Sequence, residues 1–111
     1  MEKESNLRTE LLGLGMKMIT NRNQEYKGIP EIIIEEALDI AISSLVYWIT
    51  NEEGGEMTLG LDYNENLKEI IDNRVAIFRF QKVYGNQSKI PENLDKFKYK
   101  RIYNEVIVLR N

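Results

Sequence analysis

The stretch from Ile29 to Asn51 constrains this chain more than any other. Pro30 suits the first position of a helix, where its missing N–H costs nothing. Glu31, Glu35 and Glu36 follow and favour the positive end of a helix dipole. Ile34, Leu38, Ala41, Leu45 and Trp48 then recur at intervals of four, three, four and three, which is one face of a helix. Ile33, Ala37, Ile42 and Ile49 widen that stripe. So broad an apolar face must be covered by the rest of the chain, and the spacing therefore predicts a central helix that stops near Thr50-Asn51.

The remaining segments read as its cover. Leu7, Leu11, Leu14 and Met18 predict a first helix over about Ser5–Thr20, with Ser5 or Asn6 as its cap. Gly13 and Gly15 weaken its middle, and they are explained either by a close helix approach or by fraying. Asn21–Gly28 is polar and ends in Gly, the composition of a loop. Beyond the second helix, Glu52-Glu-Gly-Gly-Glu56 signals a turn. Met57, Leu59, Leu61 and Tyr63 then alternate with other residues, as in a strand or an extended arm with no partner in the chain. A third helix is predicted from Asn66, with Glu69 placed as in a capping box. Leu67, Ile70, Ile71, Ile77, Phe78 and Tyr84 form its apolar side, and Gly85 suits the position just past its end. Arg74 falls inside that stripe and needs a carboxylate or carbonyl partner if it is buried. A fourth helical segment is predicted from Pro91, with Leu94, Phe97, Tyr99, Ile102, Tyr103 and Val106 inward. Its β-branched end, Val106-Ile-Val-Leu109, need not stay helical.

The expected fold is therefore all-α: a small four-helix bundle with a long extended arm between helices two and three and a C-terminal tail. Residues 1–111 form a single domain with its core in 29–105, the arm at 51–63 and the tail at 106–111. Leu38, Ala41, Leu45, Trp48, Ile70, Ile77 and Phe78 are the expected centre of the core.

The chain has no His and no Cys, so imidazole catalysis, thiol chemistry, disulfides and Cys/His metal sites are excluded. The N-terminal Met1-Glu-Lys-Glu-Ser lacks the apolar core of a signal peptide, and no apolar run approaches the ~20 residues of a membrane span. Folding in a cytoplasm is the expectation. Glu31, Glu35 and Asp39 share a helix face at i, i+4 and i+8, but such a row is ordinarily a solvated acidic surface and not a Mg²⁺ or Ca²⁺ site. Neither a cofactor nor an enzymatic activity is expected.

The charges are sorted along the chain. Residues 1–73 hold 15 of the 18 acidic and 6 of the 15 basic residues, a net of −9, whereas residues 74–111 carry a net of +6. Such a polarised molecule can place the acidic face of one copy on the basic face of the next. The basic part, with Arg79, Lys82, Lys89 and the run Lys96-Phe-Lys-Tyr-Lys-Arg101, interleaves charge with aromatic rings. It reads as a nucleic-acid surface, as plain solvated surface or as a protein contact.

Two runs carry a family resemblance. Ile29-Pro-Glu-Ile-Ile-Ile-Glu-Glu-Ala-Leu-Asp-Ile-Ala-Ile-Ser-Ser-Leu-Val-Tyr-Trp-Ile49 resembles the first long helix of head–tail connector (neck adaptor) proteins of tailed bacteriophages. Leu67-Lys-Glu-Ile-Ile-Asp-Asn-Arg-Val-Ala-Ile-Phe-Arg-Phe80, followed by Tyr84-Gly85, resembles their next helix, and Pro91–Leu109 their last helix and tail. The pattern is one of small and apolar positions, with Trp48-Ile49 where the family has Tyr-Leu and a third helix about one turn longer.

The resemblance implies a non-enzymatic structural virion protein, assembled in the host cytoplasm and located in the virion neck. Such a subunit forms a ring, commonly twelve-fold, beneath the portal protein, contacts other neck and tail proteins, and extends a channel that DNA passes without sequence recognition. On that reading Glu31, Glu35, Glu36, Asp39, Met57, Leu59, Leu61, Tyr63, Arg79, Lys82, Lys98 and Arg101 lie at subunit interfaces. Val106, Ile107, Val108, Leu109 and Arg110 form a tail that docks on the portal. The alternatives are a small DNA-binding regulator using the basic 79–101 region, or an acidic phage-encoded inhibitor that mimics nucleic acid.

Overall fold

A computed structural model describes residues 2–51 and 63–109, with side chains from Ser5 onward. The described residues form three helices and one hairpin: α1 (Glu2–Asn21), α2 (Glu31–Asn51), α3 (Tyr63–Tyr84), β1 (Lys98–Ile102) and β2 (Glu105–Leu109). The expected arm residues Met57, Leu59 and Leu61, and Arg110 of the expected tail, lie outside the described residues. Tyr63, placed in the arm by its alternation, is instead the first residue of α3.

The four-helix expectation fails at Pro91. The carbonyl of Pro91 accepts from the N–H groups of Leu94 and Asp95 at 2.9 Å, one turn only, and the chain then extends. Lys98–Ile102 pairs antiparallel with Glu105–Leu109 through a register that runs from Lys98 opposite Leu109 to Ile102 opposite Glu105. Phe97 and Tyr99 alternate with lysines, a period of two that a helix cannot sort into one face. Val106-Ile-Val adds the β-branched side chains that favour a pleated surface. Tyr103 and Asn104 form the two-residue turn, with Tyr103 at φ 57 as tight hairpins require at their first central position.

Helix α2 is the spine. Ala41, Leu45 and Ser44 are fully buried, and Leu38, Ile42, Val46 and Trp48 nearly so. Leu11 of α1 and Leu67, Ile70, Ile71 and Val75 of α3 close the core against it. Ile77 is buried as expected, but Phe78 is only half-buried, and Tyr84, expected on the apolar side, is 65% exposed. Gly15 resolves the question left open by the glycines of α1: a Cβ there would overlap Leu38 Cδ1, so its bare backbone permits the α1–α2 approach. Gly85 ends α3 at φ 93 and donates its N–H to the Gln81 carbonyl at 2.8 Å.

The hairpin is held to the spine by side-chain bonds to its backbone. Trp48 Nε1 donates to the carbonyl of Val108 at 2.9 Å, and the Val108 N–H donates to Ser44 Oγ at 2.8 Å. Ile107 and Val108 are 2% and 1% exposed. Residues 106–109 are thus a strand of the domain and not a tail leaving it, which corrects the second structural expectation.

Candidate functional site

Helix geometry places the acidic residues as their spacing requires. Glu31, Glu35, Glu36 and Asp39 all face solvent on the first half of α2, opposite its buried stripe. None of the four takes part in an ion pair among the described residues, and no group of three or more acids gathers in a way that could hold a metal ion there.

The basic residues separate into two groups. At the end of α3, Lys82 is exposed in the last turn, while Arg79 Nη2 donates to the Glu25 carbonyl at 2.6 Å and braces the loop before α2. On the hairpin, Lys98, Lys100 and Arg101 of β1 are exposed and without ion-pair partners among the described residues. The Lys96 ammonium lies 5.9 Å from the centre of the Phe97 ring. The loop and α2 start lie beside the end of α3: a narrow crevice is lined by Ile33 and Glu36 of α2 and by Arg74, Phe78 and Gln81 of α3. Strand β1 lies beside the middle of α3 through Tyr99, and its partner β2 lies on the second half of α2 through Val108.

Three polar clusters fix these surfaces, and sequence reasoning found none of them. Arg22 Nη1 and Nη2 each donate to an Asp72 oxygen at 3.0 Å, a bidentate pair that joins the end of α1 to α3. Tyr26 OH donates to the same carboxylate at 2.7 Å, and Arg22 also pairs with Glu25. Burial first, and the hydrogen bond to Asp72 second, push the Tyr26 phenol well above the usual tyrosine range, so it remains protonated and is no base. The Asp72 hydrogen bond likewise raises the Arg22 guanidinium above its ordinary value.

In the second cluster, buried Asn73 donates to the Leu94 carbonyl at 2.7 Å and accepts from Tyr99 OH at 2.5 Å. It ties the turn after Pro91 and strand β1 to α3. Arg74, which required a partner, finds the Tyr99 ring, its guanidinium carbon 5.1 Å from the ring centre. Burial raises the Tyr99 phenol, with Arg74 acting against it. In the third cluster, Arg8 Nη2 donates to Glu105 at 2.8 Å, and Ser43 Oγ donates to the same carboxylate at 3.2 Å. The residue types were visible in sequence, but their partners lie 50, 26 and 97 positions apart. No local period reports such pairs.

Each of these clusters braces one element of the fold against another. The larger hollow, about 290 Å³ between α3 and the 93–96 segment, is lined by Glu65, Lys68, Glu69, Asp72, Asn73 and Lys96. Its charges are of both signs, and half-buried Asp72 and buried Asn73 are already bonded within the fold. Comparison with known proteins gave no match to a family model, a curated protein or a solved structure. The surface that carries function is therefore read from its own charges.

Proposed function

We propose that this protein is a structural subunit that assembles with copies of itself, of the kind represented by the head–tail connectors of tailed bacteriophages. It would build a ring under a portal protein in the virion neck and continue the channel for DNA. One observation carries the reading. The acids of the first α2 half and the bases of β1 are exposed on different elements, and neither group is neutralised within the described chain. Unpaired patches of opposite sign at separate places on one molecule favour a head-to-tail contact, the geometry from which rings close. The resemblance of residues 29–49 and 67–85 to connector helices supports the same reading. The portal contact is not assigned to residues 106–109, because those residues are committed to the fold.

Paired charge reversals test this. Glu35→Lys with Asp39→Lys makes both patches basic, and Lys98→Glu with Arg101→Glu makes both acidic. Light scattering at low salt should show association in the wild type, its loss in each variant, and its return when the two variants are mixed. Wild-type association that neither reversal changes would overturn the assignment, as would a wild-type chain that shifts duplex DNA while remaining a monomer.

A further inference from the structure

The β1–β2 hairpin leaves one strand with an open side. Its two-residue turn requires the Ile102–Glu105 pair to exchange both backbone bonds. Alternation then gives Lys100 and Lys98 the same inward-bonded positions, and turns the N–H and C=O groups of Tyr99 and Arg101 away from β2. No other described residue bonds those groups. An extended strand edge of this kind is a template for another chain.

The side chains along that edge decide which chain it can be. Lys98, Lys100 and Arg101 are exposed, and β1 contains no acid. Two copies pairing edge to edge would bring like charges together, so the lysines act against self-pairing through β1 while they favour an acidic strand. The faces of the ribbon are not free to enter a nucleic-acid groove. Tyr99 is bonded to Asn73 and Val108 is buried on one face, and Ile107 is buried on the other, where Glu105 is held by Arg8. What remains accessible is the edge. We infer that β1 is a docking site for an extended acidic segment of a partner polypeptide, which adds as a strand on the Tyr99 and Arg101 backbone with its carboxylates against Lys98 and Lys100, which share one face of the strand. This site does not depend on the ring reading.

The probe is a short capped peptide alternating glutamate with valine and threonine, with a control of equal charge in which proline replaces the intervening residues and cannot form the ladder. Amide exchange followed by NMR should slow at Tyr99 and Arg101 by about tenfold when the peptide stands at about ten times its Kd. The proline control should leave both amides unchanged. Arg101→Pro removes one outward N–H at a position that makes no bond to β2, and should abolish the protection; Arg101→Gln keeps the N–H and should retain most of it. The inference is overturned if both peptides bind equally, since charge alone would then suffice. It is overturned too if neither peptide protects these amides, or if single-stranded DNA of equal charge binds more tightly than the peptide.

Discussion

Helix α2 and the C-terminal hairpin draw on similar side chains and reach opposite structures. The helix contains three consecutive isoleucines, Ile32 to Ile34, and the second strand is built from Val106-Ile-Val. β-Branched residues therefore do not separate them. What separates them is the length over which a period holds. In α2, a helix of 21 residues, the four–three spacing holds from Ile34 to Trp48 and repeatedly passes through Ala and Leu, the best helix formers among apolar residues. In the hairpin the alternating Phe97, Tyr99 and lysines last only for one short strand, and a two-residue turn follows. A tertiary surface then completes the choice: Ser44 and Trp48 of α2 present a hydroxyl and an indole N–H to the backbone of Val108. A helix at that position would have consumed those backbone groups internally.

The largest effects come from removing either region. Leu45 is fully buried, so Leu45→Asp introduces an unpaired charge into the core, at a cost of several kcal/mol against a stability of about 5–15 kcal/mol. Loss of the cooperative melting transition in circular dichroism is the expected result. Deleting residues 106–111 should have nearly the same outcome, because it uncovers the core around Val108 and leaves Trp48 Nε1 without the Val108 acceptor. Had this segment been a free tail, the truncated chain would melt like the wild type.

A smaller change isolates the bond between the regions. Ser44→Ala keeps the volume of the site close to constant but leaves the buried Val108 N–H without its acceptor. The expected loss is about 1–3 kcal/mol in urea unfolding, with an unchanged slope. A loss below about 0.5 kcal/mol would show that packing alone seats the strand.

Much of the helical part was legible because its information is local and periodic. Pro30, the acids behind it and the stripe to Trp48 define α2, and Gly85 marks the end of α3. The hairpin was not read, although its period of two and its β-branched end were present in the sequence. Leu94, Phe97 and Ile102 can also be threaded onto a helix, and nothing nearby marks Tyr103-Asn104 as a turn in the way that Asn-Gly does. At the surface, exposure of Glu31, Glu35, Glu36 and Asp39 followed from the helical period. The two-group arrangement of the bases did not, since it depends on Arg79 reaching Glu25 and on Tyr99 reaching Asn73. Both are contacts of tertiary structure.

The Arg22–Tyr26–Asp72 cluster gives a more modest test, on the helical side of the comparison. A phenol whose pKa is higher in the folded state contributes stability that is complete below its unfolded value near 10 and is lost as the pH rises beyond it. Wild-type stability should therefore fall above about pH 10 more steeply than that of Tyr26→Phe, which lacks this titration. Urea midpoints at pH 9 and above would reveal the difference, and parallel curves for the two proteins would place the sensitivity elsewhere.

The smallest expected effect lies at the tip of the hairpin. Tyr103 is 91% exposed, so its ring contributes little packing, yet its backbone sits at φ 57, where an L side chain other than Asn, Asp or Gly is disfavoured. Tyr103→Asn keeps the turn and suits that conformation, and should raise stability by about 0.5 kcal/mol. Tyr103→Ala removes the ring equally well but keeps the unfavourable φ, so it should give no gain. The contrast between the two variants measures the turn and not the ring. Equal midpoints for Asn, Ala and wild type would mean that the turn exerts no selection, and that the bonds from Ser44 and Trp48 and the burial of Ile107 and Val108 hold the last strand in place.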